Sequence, residues 1–109
     1  MYEYRAIVTR VYDGDTITVN IDLGFEHWMM NQKIRLYGID TPEIKGEERP
    51  EGLKSAEWLR SRIYGEEIIL KTHKDKKGKY GRWLAEVYFE GVNLNQQLIK
   101  EGLAEPYMV

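Results

Sequence analysis

Thr16-Ile17-Thr18-Val19-Asn20-Ile21-Asp22-Leu23 carries an apolar side chain at every second position. Successive side chains of an extended chain point to opposite faces, so Ile17, Val19, Ile21 and Leu23 share one face and the polar residues share the other. The pattern is that of a strand with one side on a core and the other in water. Tyr12-Asp13-Gly14-Asp15 before it is a strong turn signal, and Gly24 closes it. Upstream, residues 3 to 11 (EYRAIVTRV) are rich in strand formers and stop at that turn, which reads as a second strand antiparallel to the first.

Downstream, residues 25 to 31, with Phe25, Trp28, Met29 and Met30, read as an apolar loop packed over the core as a lid. A strand is expected from about Gln32 to Ile39. Residues 44 to 52 lack periodicity and read as a mobile surface loop. Helical spacing follows, with Leu53, Ala56, Leu59 and Ile63 on one face and Gly65 as the stop. Residues 66 to 72 form a fourth strand, His73 to Gly81 a turn, and residues 82 to 89 a fifth strand. Glu90-Gly91 is a tight connection, Asn93 followed by Gln96 starts a second helix, and Gly102 with Leu103 gives a Schellman-type end. Five strands with a helix between the third and fourth is the order of an OB-fold barrel, a mainly β, α+β architecture that commonly binds oligonucleotides on its strand face. No linker or internal repeat divides the chain, so residues 1–109 are expected to form a single domain.

Composition narrows the chemistry. The 109 residues are 42% hydrophobic and 12% aromatic, enough for one core. Without cysteine there is no disulfide, thiolate nucleophile or cysteine-bound zinc. His27 and His73 are far apart, which disfavours an imidazole metal site. A bound metal is therefore expected to be a hard cation held by oxygens. The amino terminus lacks the apolar run of a signal peptide and no segment is long enough to span a membrane, so a cytoplasmic chain with no membrane partner is expected. The net charge of −2 argues mildly against general nucleic-acid binding, but Lys71, Lys74, Lys76, Lys77, Lys79 and Arg82 are opposed in their stretch by Asp75 alone.

The stretch Arg35-Leu36-Tyr37-Gly38-Ile39-Asp40-Thr41-Pro42-Glu43 concentrates a guanidinium and two carboxylates at a strand exit. Pro42 holds Thr41 extended and ends the strand. An exit of this kind pins its side chains more firmly than a free loop does, as a site for a cation and a substrate requires. Each such feature alone is also what an ordinary acidic turn provides.

Three segments taken in order are more specific: Val11-Tyr12-Asp13-Gly14-Asp15-Thr16, Arg35 through Glu43, and Lys79-Tyr80-Gly81-Arg82. Together they resemble the staphylococcal nuclease (thermonuclease) family, over about Val8 to Ala104. The resemblance implies that Asp15, Asp40 and the Thr41 carbonyl hold a calcium ion and that Glu43 orients or deprotonates the attacking water. It further implies that Arg35 and Arg82 clamp the scissile phosphate, and that Lys79 and Tyr80 contact a neighbouring phosphate and nucleotide. Asp13 either supports the metal indirectly or stabilises its own turn, of which the turn is favoured. Thermonuclease continues into a further carboxy-terminal helix, so the expected fold is the barrel with two helices and without that last one.

The expected activity is calcium-dependent hydrolysis of DNA and RNA with little sequence preference, leaving 3'-phosphate ends. Single-stranded or unpaired regions are the preferred substrate, and a monomer is expected. The acidic 44–52 loop should slow turnover or make it more salt-sensitive. The alternatives are an OB-fold module that binds nucleic acid or protein without hydrolysis, and a purely structural barrel.

Overall fold

The computed structural model describes residues 2–77 and 81–107, with the backbone alone described for 74–77. Its strands are β1 (Tyr2–Asp13), β2 (Thr16–Gly24), β3 (His27–Leu36), β4 (Ile39–Asp40), β5 (Glu67–Lys77), β6 (Trp83–Phe89), β7 (Val92–Asn93) and β8 (Glu105–Pro106). The helices are α1 (Arg49–Ile63) and α2 (Leu94–Lys100), with a short 3-10 turn at Gly46–Glu48.

β2 alternates as its sequence requires over Ile17 and Val19, fully buried, and Ile21, nearly so, but Leu23, read on the same face, is exposed at the strand end. It pairs antiparallel with β1, which pairs antiparallel with β5, and β5 with β6. β3 then joins β6 in parallel, with Ile34 opposite Trp83, Arg35 opposite Leu84 and Leu36 opposite Ala85. That pairing closes a five-stranded barrel of the OB type, and β7 adds to β6 by a hairpin. Closure leaves β1, β2, β3, β5 and β6 with a partner on each side where they meet, which removes the exposed edges an open sheet would have.

Ile17, Ile34, Leu36, Ile39, Ile68 and Leu70 fill the barrel. Leu59 and Ile63 of α1 and Leu98 of α2 join the same core. Asn93 caps α2 by accepting a hydrogen bond from the Gln96 N–H at 3.1 Å. The helix ends as expected: the Gly102 N–H donates to Ile99 O and the Leu103 N–H to Leu98 O, with Gly102 at φ 76°.

Several boundaries differ from the sequence reading. Residues 25 to 31 are not a lid over the barrel. They form the tip and first half of β3, where Phe25 is 98% exposed and Trp28 and Met30 are also exposed, and Met29 alone among these four packs against the core. β3 ends at Leu36, and β4 is a separate two-residue strand paired with β8. The 44–52 segment is not a loop throughout, since α1 starts at Arg49 with Pro50 in its first turn, and Leu53 lies exposed on it. β5 runs to Lys77, through residues read as a turn.

The β2–β3 hairpin turns at Phe25-Glu26, between the paired Gly24 and His27. Both turn residues have positive φ, 52° and 63°, as two-residue hairpins of the right twist demand. L-residues with side chains pay about 1–2 kcal/mol each there, and Asn-Gly is the preferred pair. The double substitution Phe25→Asn, Glu26→Gly is expected to stabilise the protein by about 1 kcal/mol, raising Tm by roughly 4–8 °C. A lower melting temperature by calorimetry would contradict this account of the turn.

Candidate active site

Asp15 sits where β2 begins, and its carboxylate is buried. Oδ2 accepts the Thr41 N–H at 3.0 Å, and Oδ1 accepts the Thr16 hydroxyl at 3.2 Å. The Arg35 guanidinium lies 3.3 Å from the same Oδ2. Charge buried this deeply requires such partners, so the carboxylate ties the start of β2 to the strand exit at Thr41. A backbone bond adds to the tie, with the Leu36 N–H donating to Asp15 O at 2.8 Å.

Arg35 lies in the strand that closes the barrel, opposite Thr16 on one side and Leu84 on the other. Its Nη1 donates to Leu36 O at 3.0 Å and Ile39 O at 2.9 Å, and its Nη2 to Asp40 Oδ1 at 3.4 Å. One guanidinium therefore bridges Asp15 and Asp40 and folds the strand exit back on itself. Arg82, just before β6, donates through Nη1 to Thr16 Oγ1 at 3.2 Å. A chain of donors thus runs from Arg82 through the Thr16 hydroxyl to Asp15, and from the Thr41 N–H to the same carboxylate.

Asp15, Arg35, Asp40, Glu43 and Arg82 all line one open cleft of about 510 Å³. Thr41 is buried behind it. Glu43 is exposed, with its N–H donated to Glu48 Oε1 at 3.0 Å. Lys79 and Tyr80 lie outside the described residues. Asp13 serves its own turn, Oδ1 accepting the Asp15 N–H at 3.0 Å. Burial, followed by hydrogen bonding and repulsion from Asp15, pushes its carboxyl up to about 7. Burial likewise raises Asp40, followed by the charge of Asp15, while Arg35 pulls the other way and Glu48 and Glu105 add to the rise.

The family model described as "Staphylococcal nuclease homologue" matches residues 33–109, a span that holds Arg35, Asp40, Thr41, Glu43 and Arg82. The chain belongs to the staphylococcal nuclease family. It is 36% identical over 100 residues to the thermonuclease of Staphylococcus hyicus, a match covering 89% of this chain and 56% of that protein. It is 32% identical to an uncharacterized endonuclease of Haemophilus influenzae, over 92% of this chain and 51% of the relative. It is also 32% identical to endonuclease YhcR of Bacillus subtilis, over 98% of this chain and 9% of that much longer protein. The chain thus spans about half the length of the thermonuclease it matches.

The donors expected of the family's metal site are oxygens from Asp15, Asp40 and the Thr41 carbonyl. Among the described residues no three acidic, histidine or cysteine side chains gather as a ligand cluster. Two carboxylates do converge, since one guanidinium reaches both within 3.4 Å. The upward push on Asp40 comes first from burial and then from the charge of Asp15, with Arg35 pulling the other way. A hard cation that accepts backbone and water oxygens besides two carboxylates fits this donor set.

Three contributors were not assigned a role from the sequence. Thr16 is the hydroxyl link between Arg82 and Asp15, and its place beside the Asp-Gly-Asp turn was the available signal. Glu48 fixes the Glu43 backbone, and nothing in its surroundings in sequence marks it. Gly52 is the third. A Cβ built on it would collide with Glu43 O and lie 2.8 Å from Pro42 O, so α1 presses directly on the backbone that carries Glu43. Its signal was the Arg49-Pro50 helix start, which places Gly52 inside a helix rather than in a loop.

Gly→Ala in an exposed helix interior ordinarily stabilises by about 1 kcal/mol. At Gly52 the sign should reverse, because the new methyl meets backbone and not a movable side chain. Gly52→Ala is expected to cost about 1–3 kcal/mol in urea denaturation. A neutral or stabilising result would mean that α1 does not seat against Glu43 as described.

Proposed function

We propose that this chain is a calcium-dependent nuclease that hydrolyses phosphodiester bonds of DNA and RNA with little sequence preference. It breaks the bond from phosphorus to the 5' oxygen and leaves 3'-phosphate ends. The observation that carries the reading is the single cleft that brings Arg35 and Arg82 together with Asp15, Asp40 and Glu43, in a chain whose family and relatives are named for nucleases.

Each side chain has a role suited to its surroundings. Asp15, Asp40 and the Thr41 carbonyl would hold calcium, which when bound supplies positive charge to the phosphate and a site for water. Glu43 is exposed at the mouth of the cleft and accepts a proton from the attacking water. Arg35 keeps its two carbonyl bonds through Nη1 and presents Nη2 to a phosphate oxygen. Arg82 is oriented by Thr16 and meets the charge that grows on the phosphoryl oxygens in the transition state. The fork of a guanidinium suits that task better than an ammonium. Water adds to phosphorus in line, its proton passes to Glu43, and the 5' oxygen leaves and is protonated. Lys79 and Tyr80 would hold the neighbouring phosphate and nucleotide.

Denatured DNA and RNA incubated with calcium, with magnesium alone and with chelator test the reading. Cleavage should require calcium, because magnesium's smaller octahedral shell misplaces water and phosphate. The products should carry 3'-phosphates. Glu43→Gln and Arg82→Ala should each reduce turnover by about 10²–10³-fold while leaving the circular dichroism spectrum unchanged. Oligonucleotide binding without cleavage in any metal would favour the non-catalytic OB-fold module instead.

Metal and phosphate should also be linked. Calcium together with a nucleoside 3',5'-bisphosphate is expected to raise Tm by more than the sum of the separate shifts, a coupling of about 1–3 kcal/mol. The excess should vanish in Asp40→Ala. Additive shifts at subsaturating ligand would mean that the two do not share a site.

A further inference from the structure

The cleft does not end at the proposed phosphate clamp. It continues along the outer face of β1, β2 and β3, where Arg10, Tyr12, Thr18 and Lys33 also line it. The strand register explains why. Arg10 is paired with Thr18, and Thr18 with Lys33, so these three form one row across three strands. Thr16 paired with Arg35 forms the row next to it on the same face. Two residues of strand separate the rows, about 7 Å, which is on the order of the spacing between neighbouring phosphates of an extended single strand. The upper row is cationic at both ends and has a hydroxyl between them. Arg10, Tyr12 and Lys33 are all exposed. The Arg10 guanidinium lies 5.8 Å from the centre of the Tyr12 ring, so charge and aromatic surface are presented together.

An exposed arginine or lysine on a strand usually has no more meaning than solubility. Here, however, the net charge of the chain is −2, and the carboxylates of Asp15, Asp40 and Glu43 in the same cleft repel polyanions. Two cations and a ring facing the same cleft, one row beyond the phosphate clamp, are the components of a subsite for single-stranded nucleic acid: charge for the backbone and an aromatic face for a base.

We infer that Arg10, Tyr12 and Lys33 form an outer nucleotide subsite, which binds the phosphate and base adjacent to the scissile phosphate and favours unpaired strands. The inference rests on the nuclease reading. Arg10 and Lys33 contact the phosphate, and Tyr12 stacks on a base that must be unpaired to reach it. Thr18 supplies a hydroxyl between the two cations. None of these side chains touches the reacting atoms, so the subsite acts on binding and not on the chemical step.

Fluorescence anisotropy with a labelled hexathymidylate, in chelator so that nothing is cut, provides the test. Thymidine 3',5'-bisphosphate serves as a short ligand that does not extend to the outer row. Arg10→Ala and Lys33→Ala should each weaken the hexanucleotide and lower the slope of log K against log salt by about 0.7. Tyr12→Ala should weaken it by about 5- to 100-fold with the slope unchanged, and Tyr12→Phe should retain affinity. Bisphosphate affinity should stay the same in all four variants, with folding confirmed by circular dichroism. Unchanged hexanucleotide affinity and salt slope in the alanine variants, or equal weakening of both ligands, would overturn the subsite. If the unaltered protein neither binds the hexanucleotide nor cuts nucleic acid with calcium, the nuclease reading itself fails, and the subsite with it. Cleavage by the unaltered protein together with unaffected variants rejects the subsite alone.

Discussion

A carboxylate buried at Asp15 constrains this end of the barrel more than any other group. Removing it from water is tolerable only if donors surround it, and three distinct parts of the chain supply them: Thr16 at the start of β2, Arg35 in β3 and the Thr41 N–H beyond β4. Satisfying one side chain therefore fixes where the strand exit lies relative to the first hairpin. Gly14 makes the approach possible, since a Cβ there would lie 2.8 Å from both Ser55 Cβ and Thr41 Cγ2. The Gly14 backbone of the Asp-Gly-Asp turn thus packs directly against the side chains of Ser55 in α1 and Thr41 in the strand exit, and the cleft above them is built on a packed floor rather than on loops.

Arg35 carries the same logic into the barrel wall. Its backbone belongs to the parallel seam with β6, and its side chain satisfies two carbonyls of the chain's own exit while bridging two acids. Around Asp40 itself acidic groups predominate. Asp40 lies beside Asp15, with Glu48 and Glu105 nearby, and its carboxyl is raised first by burial and then by the charge of Asp15, which Arg35 opposes. Glu105 arrives there because β8 pairs with β4, Asp40 opposite Glu105. Paired carboxylates beside guanidinium donors suit a dication and a phosphate held together better than either alone.

How far the sequence was legible follows from where burial is one-sided. β2, β6 and α2 could be read because each has a core face and a wet face, and because Asn93 and Gly102 mark the helix ends by local chemistry. The carboxylates and arginines of the cleft stood out for the same reason, as clusters in short segments. The first half of β3 could not be read so. It projects beyond the core, Phe25, Trp28 and Met30 lie exposed, and its turn lacks glycine and asparagine, so neither periodicity nor turn chemistry revealed it. β4 and β8, two residues each, exist only through long-range pairing and leave no local trace. Gly52 and Thr16 belong to a third kind: their roles depend on what tertiary structure brings against them.

The acidic segment before α1 illustrates how one set of charges can serve opposing ends. Read as a loop, Glu47, Glu48 and Glu51 would do little but repel a polyanion. In the fold, Glu47 and Glu48 lie in the short 3-10 turn, and Glu51 lies in the first turn of α1, where negative charge complements the partial positive charge of the helix amino terminus. Glu48 further accepts the Glu43 N–H, and Gly52, one turn on, presses against the Glu43 carbonyl. Glu43 is thus held by its backbone from both sides while its carboxylate stays exposed at the cleft. Glu51 complements the helix amino terminus, and the helix and Glu48 together position the Glu43 backbone. Replacing them with lysine to attract nucleic acid would place cations at the wrong end of the helix dipole and remove the acceptor from the Glu43 N–H. The positive charge that draws in substrate is better carried elsewhere, and the outer face of β1 and β3, with Arg10 and Lys33, is a place where it disturbs neither the helix nor the buried carboxylate.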